Sequence, residues 1–174
     1  QPARDDKVLA EWNGLTITAL AEAGRALNRP DWVGAAVAAA DFVLDVHVVD
    51  GRLRRSSRAG RVGDAAGVLA DYACFAEGLL ALHQATGDGK WLAAATELID
   101  IAVDRFADHD HPGAYFDTAE DAEALVQRPA DPADNASRSG ASALAAALLS
   151  ASVLIGGSKA TEYRRLADEA LQRV

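Results

Sequence analysis

Apolar residues recur at three- and four-residue spacing in six separate stretches of this chain, and the stretches fall into pairs. Leu15, Thr16, Ala19, Leu20, Ala23 and Leu27 open the first pair, and Asn28-Arg29-Pro30-Asp31 turns into a partner from Trp32 to about Val49. The second pair runs from Val68 to about Ala85, turns at Thr86-Gly87-Asp88-Gly89 and resumes from Trp91 to about Phe106. The third runs from about Ser139 to Leu154, turns at Gly156-Gly157-Ser158 and resumes from Thr161 to the end. Each second member opens on an aromatic after a polar turn: Trp32, Trp91 and Tyr163. Such a loose helix-hairpin repeat demands that neighbouring hairpins cover one another's apolar faces. The expected fold is all-α, with hairpins at about 12–49, 68–106 and 139–174.

Links within pairs are short, whereas links between pairs are long, roughly Asp50–Gly67 and Ala107–Arg138. Long connections in compact domains are uncommon and usually functional. They carry short strand signals: Arg52-Leu53-Arg54 after Asp50-Gly51, and Tyr115-Phe116-Asp117-Thr118 facing Leu125-Val126-Gln127. If the hairpins stand side by side in a ring, every long link emerges on one face and leads into an inner helix. A loop-built site on that face follows from the geometry.

Half of the 174 residues are hydrophobic but only 6% aromatic, and alanine, the strongest helix former, is the commonest residue. The net charge of −9 argues against a nucleic-acid binder. The basic cluster Arg52, Arg54, Arg55, Arg58 and Arg61 is local. No apolar run reaches the roughly 18 residues of a membrane span, and no signal peptide opens the chain. No membrane partner is expected, and the expected location is the cytoplasm. The sequence contains no methionine and starts Gln1-Pro2, and its last helical pattern lacks a capping glycine. Both ends read as cut from a longer chain. Cys74 is the single cysteine and sits in an apolar run, which suits a buried thiol.

The unusual polar residues gather in the long links and at the starts of the inner helices: Asp6, Lys7, Trp12, Asn13, Asp71, Tyr72, Tyr115, Asp117 and Ser139. Two carboxylates facing one cavity serve acid/base chemistry on a sugar, which makes Asp6, Asp71 and Asp117 the catalytic candidates. Lys7, Trp12, Asn13, Tyr72, Tyr115 and Ser139 are the substrate-binding candidates. Each has a plainer alternative. Asp6, Asn13 and Ser139 suit helix caps, Trp12 suits a plug in the inner wall, and Asp71 suits a buried hydrogen bond tying adjacent hairpins. His47 and His83 lie within helices, and Asp108-His109-Asp110-His111-Pro112 matches no dependable ligand spacing, so neither metal nor cofactor is expected.

Asp5-Asp6-Lys7-Val8-Leu9 followed by Trp12-Asn13-Gly14-Leu15 resembles the signature of the spermatogenesis-associated, thioredoxin-domain-containing family. Leu69-Ala70-Asp71-Tyr72-Ala73, Glu77-Gly78-Leu79-Leu80-Ala81-Leu82, Thr86-Gly87-Asp88, Tyr115-Phe116-Asp117-Thr118 and Arg128-Pro129-Ala130-Asp131 continue the match in order. Where the family pattern reads Pro-Ser-Gly-Asn-Ser, this chain has Arg138-Ser139-Gly140-Ala141-Ser142, without the asparagine amide. The resemblance implies a six-hairpin α/α toroid similar to N-acylglucosamine 2-epimerases and six-hairpin glycosidases. Three of its hairpins lie in this chain, and the thioredoxin-like domain lies outside it. It also implies a sugar ligand. A non-catalytic module presenting a partner surface beside the redox domain is the rival reading. Three hairpins leave apolar flanks, with Leu15, Leu20, Leu148 and Leu149 among them. These would be met by the rest of the parent chain or by self-association.

Overall fold

The computed structural model describes residues 5–122, 127–131, 133–134 and 137–173. Among these residues six helices form: α1 (Ala10–Ala26), α2 (Pro30–His47), α3 (Leu69–Thr86), α4 (Gly89–Phe106), α5 (Gly140–Leu154) and α6 (Gly157–Leu171). Local signals fix several of their ends. Pro30 takes the first position of α2, where its missing N–H costs nothing. Gly87 ends α3 with φ 73°, a left-handed conformation that suits glycine. Asp88 then caps α4 by accepting from Lys90 N–H at 2.9 Å, and Ser139 caps α5 by accepting from Ser142 N–H at 3.0 Å.

Helix α3 is the centre. It packs on α1, on its hairpin partner α4 and on α5, and both of its flanks are buried from Leu69 to Leu82. The approach to α1 is backbone to backbone. A Cβ on Gly14 would lie 2.4 Å from the Cys74 carbonyl, and one on Gly78 would lie 2.8 Å from the Gly14 carbonyl oxygen. On the other side Gly140 leaves no room beside Leu69 and Ala70. Helices α1, α3 and α5 therefore form an inner row starting at one common end, with α2, α4 and α6 behind. This is the α/α-toroid arrangement of three hairpins expected from the repeat.

Small antiparallel sheets rim that end. Strands β2 (Val48–Val49) and β3 (Arg52–Leu53) pair around Asp50-Gly51, both with positive φ (52° and 70°), the hairpin turn that an Asp-Gly pair favours. Strands β1 (Lys7–Leu9), β4 (Ser56–Arg58) and β5 (Arg61–Val62) form a second sheet in the order β1-β4-β5. Strand β1 lies outside the two long links, where no strand was expected. It joins residues some fifty positions away, a pairing that local patterning does not signal. Tyr115–Thr118 is not a regular strand. Tyr115 makes an isolated bridge to Ala107, and Asp117 N–H donates to the Pro129 carbonyl at 2.8 Å. Of its expected partner, Leu125 and Val126 lie outside the described residues.

Of the four leucines expected on open flanks, Leu15 is exposed and Leu20 and Leu149 half-buried, but Leu148 is fully buried. Leu148 shares its helix face with Leu144 and Ala151, both also fully buried, and the exposed flank of α5 carries Val153 instead. Among the described residues no helix is long and apolar enough to cross a membrane, and no three His, Cys, Asp or Glu side chains group to hold a metal ion.

Candidate functional site

The common end of α1, α3 and α5 receives both long links. Asp71, in the first turn of α3, is fully buried, and both its oxygens are engaged: Oδ1 accepts Glu11 N–H of α1 at 3.1 Å and Oδ2 accepts Val68 N–H at 3.0 Å. Burial pushes its carboxyl above the usual range. The Val68 N–H, the charge of Arg55 and the Glu11 N–H pull the other way. Its geometry is that of a tie between the starts of two inner helices. Tyr72, one residue on, turns outward to meet Phe106 in a tilted contact, ring centroids 5.3 Å apart and planes at 59°. Its buried hydroxyl accepts from Leu53 N–H at 2.9 Å and Arg52 Nε at 3.2 Å. The Arg52 guanidinium continues to Asp121, with Nη2 donating to Oδ1 at 3.1 Å, so one arginine joins the two long links.

Asp117 joins this end through its backbone, its carbonyl accepting Leu69 N–H at 2.9 Å. Its half-buried carboxyl accepts Asp131 N–H at 3.2 Å and is held above its ordinary range, chiefly by burial. Tyr115 is buried beside Glu169 of α6, and burial raises its phenol to about 12. Ser139 accepts from Ser142 N–H while its own N–H donates to Asp134 Oδ1 at 2.9 Å. Asn13 donates from Nδ2 to the Leu9 carbonyl at 2.8 Å, one turn back along α1. Asp6 and Lys7 are exposed on the β1 side, where Asp6 pairs with Arg58 at 2.6 Å and Lys7 with Asp5 at 3.4 Å. Trp12 is 64% exposed. The structure thus places the Asp71 carboxyl and the Asp117 backbone at the start of α3, and sets Lys7 on the neighbouring sheet with Asp6 just before it.

The faces of α3 identify a further residue. Asp71 and Gly78 point to α1, Tyr72 to α4, and Leu69 to α5. The remaining stripe, spaced i, i+7, i+11, is Ala70, Glu77 and Ala81, on the concave side opposite the outer helices. Glu77 is its one charged member, and its side chain is only 14% exposed. Arg138, at the end of the second long link, holds it with a two-pronged contact, Nη1 to Oε1 at 3.3 Å and Nη2 to Oε2. Cys74, one turn earlier, is buried, and burial pushes its thiol up to about 12. Glu77 lies within the sequence motif, but its direction depends on which faces the neighbouring helices occupy. Periodicity alone does not supply that.

No protein-family model matches the chain. Spermatogenesis-associated protein 20 of Rattus norvegicus is 39% identical over 122 residues, 64% of this chain and 15% of that protein. The protein of the same name from Homo sapiens is 34% identical over 159 residues, covering 86% of this chain and 20% of the relative. The chain thus spans about a fifth or less of the length of these relatives. Among solved structures, an unsaturated glucuronyl hydrolase specific for heparin superposes with TM-score 0.73 at 19% identity, over 96% of this chain and 46% of that one. The cellobiose 2-epimerase from Spirochaeta thermophila gives 0.74 at 19% identity over 96% and 43%, and an α-mannanase from Bacteroides thetaiotaomicron gives 0.74 at 17% over 98% and 45%. At such identities the likeness shows the fold: an α/α toroid, of which this chain matches somewhat less than half.

Proposed function

We infer, for a chain whose sequence relatives are spermatogenesis-associated proteins and whose fold is a partial α/α toroid, that its concave end contributes to a carbohydrate-binding and carbohydrate-processing cavity. The observation that carries this reading is Glu77. It is a carboxylate recessed on the concave stripe of the central helix and clamped by Arg138. Glycoside cleavage uses positioned carboxyls and sugar isomerisation needs a positioned group to give or take a proton, a part a carboxyl can fill; an arginine clamp fixes its direction.

The remaining residues take parts set by their contacts. Asp71 and Asp117 fix the starts of α3 and the rim above it. Asp6 and Lys7 flank the approach, and Trp12 offers an apolar ring on the first turn of α1 to the face of a sugar. Solved proteins of this fold with quite different sequences are named for acting on heparin, cellobiose and mannan, which supports a sugar over other ligands.

The test is calorimetric titration of the chain with neutral mono- and disaccharides. Millimolar binding that is lost in Glu77→Gln but kept in Asp45→Asn, on α2, is the expected result. No saccharide binding by the wild type would remove the carbohydrate reading.

A non-catalytic partner module is the second reading, and one observation favours it. Trp12, Thr16, Ala19 and Ala23 share the α1 face turned away from α3, and all but the half-buried Ala23 are exposed. At the other end of the row, α5 and α6 form an open groove of about 690 Å³ lined by Val153, Ala160, Arg164 and Asp168. These flanks suit further helices, either from the rest of the parent chain or from a second copy. Sedimentation that is concentration-dependent in the wild type and monomeric in Trp12→Ser would support that use of the surface.

A further inference from the structure

We propose that the β1-β4-β5 sheet carries an anion-recognition row, Lys7–Arg58–Arg61, that selects a sulfated saccharide for the cavity beside it. The inference rests on the carbohydrate reading above and adds the charge of the ligand. The register carries it. Lys7 stands directly opposite Arg58 across β1 and β4, and Arg58 stands directly opposite Arg61 across β4 and β5. Three cations therefore lie side by side on one face of a sheet. Like charges directly opposed in antiparallel strands weaken the pairing, so their juxtaposition costs the sheet stability. A chain with net charge −9 has no general surplus of cations to place there either.

Asp5 and Asp6 offset Lys7 and Arg58 in part, at 3.4 and 2.6 Å, and among the described residues no carboxylate pairs with Arg61. The row lines an open groove of about 270 Å³ with Ser56 and Gly63. Arginine forks match the paired oxygens of a carboxylate or sulfate.

The row is also held in place. Strand β1 runs directly into α1, and Ala10 N–H donates to the Arg55 carbonyl at 3.0 Å. Behind β4, the Ser57 hydroxyl bonds the buried His47 ring at 2.9 Å. An anion seated on the row therefore lies beside the end where α1 and α3 begin. A nucleic-acid strand would meet the acidic remainder of the surface, whereas one acidic sugar spans only the row.

The experiment is a titration of the chain, at fixed ionic strength, with three probes: a sulfated heparin disaccharide, the same disaccharide desulfated, and sodium sulfate. The sulfated sugar is expected to bind more tightly than the other two. Arg61→Gln should weaken it by about two- to fivefold, as removal of one exposed ionic contact does, and leave the desulfated sugar unchanged. Added salt should shrink the difference. Circular dichroism confirms that the variant is folded. Equal binding of sulfated and desulfated sugar would overturn the inference and leave the carbohydrate reading standing. Equal binding of sodium sulfate and sulfated sugar would reduce the row to a simple anion site and overturn it as a saccharide selector. Binding by none of the three would overturn the inference, and the neutral-sugar titration above would then decide the carbohydrate reading by itself.

Discussion

Gly14→Ala adds one methyl group where the structure leaves no volume. Its Cβ would stand 2.4 Å from the carbonyl carbon and oxygen of Cys74 and 2.5 Å from Phe75 N. Non-bonded carbon atoms settle at about 3.5 Å or more, so α1 would have to retreat by about 1 Å. The obstacle is the backbone of the central helix, which has no rotamer to change, and the retreat would loosen Ile17 and Ala21 along the seam. Overpacking of this kind costs about 1–3 kcal/mol, and a rigid obstacle puts the cost at or above the upper end. The better helix propensity of alanine returns about 1 kcal/mol, leaving a net loss of about 2 kcal/mol. Gly34→Ala in α2 is the matched control, because its Cβ would meet nothing within 4 Å. It should stabilise by about 0.5–1 kcal/mol. In thermal melts followed by circular dichroism, a chain of this size moves about 2–4 °C per kcal/mol. Gly14→Ala should therefore melt about 4–8 °C lower, and Gly34→Ala slightly higher. If Gly14→Ala matched the control in sign and size, the backbone contact between α1 and α3 would be refuted.

His47 is fully buried, with Nδ1 on the Arg54 carbonyl at 3.1 Å, and burial holds its pKa below the ordinary 6.5. A base depressed on folding contributes stability that is present above its unfolded pKa and lost as pH falls through the folded one. Urea midpoints should therefore fall as pH drops below about 6.5, and His47→Gln should flatten that fall. Cys74, raised to about 12 by burial, should react with a thiol reagent at pH 8 only as fast as the protein opens. Wild-type labelling at the rate measured in urea would contradict the buried site. Tyr72→Phe removes the acceptor for Leu53 N–H and Arg52 Nε and should cost about 1–3 kcal/mol in chemical denaturation. No loss would mean that water replaces the hydroxyl.

The helices were legible because their signals are local. Apolar residues repeat over fifteen or more positions, and Pro30, Gly87 and Ser139 mark ends through their own backbone chemistry. The Asp50-Gly51 hairpin was legible for the same reason. The three-stranded sheet was not. Its strands are two or three residues long, Ser56-Ser57-Arg58 has no apolar alternation, and Ala59-Gly60 makes the second hairpin turn with an alanine at φ 49°. For the candidate site, sequence pointed to the end where both long links meet the inner helices but not to the direction of each side chain. Asp71 stood out as an acid at a helix start, yet its oxygens meet Glu11 N–H and Val68 N–H, partners fixed only when α1 docks. Glu77 was passed over because a helical wheel has no inside until three neighbours have taken its other faces.

The Arg52 contact also bears on how the rim of the proposed cavity would move. Its guanidinium holds Asp121 of the second link and Tyr72 of the central helix, while Leu53 N–H bonds the same phenol and Leu69 N–H bonds Asp117. The two links are thus joined through one side chain. In the cavity proposed above, a ligand too large for the resting mouth would wait for Leu53 and Leu69 to be released together. Such an opening is a single cooperative event, and its signature is common hydrogen-exchange kinetics at the amides of Leu53 and Leu69. In that proposal the rate of entry would belong to that event and not to the mobility of either loop alone.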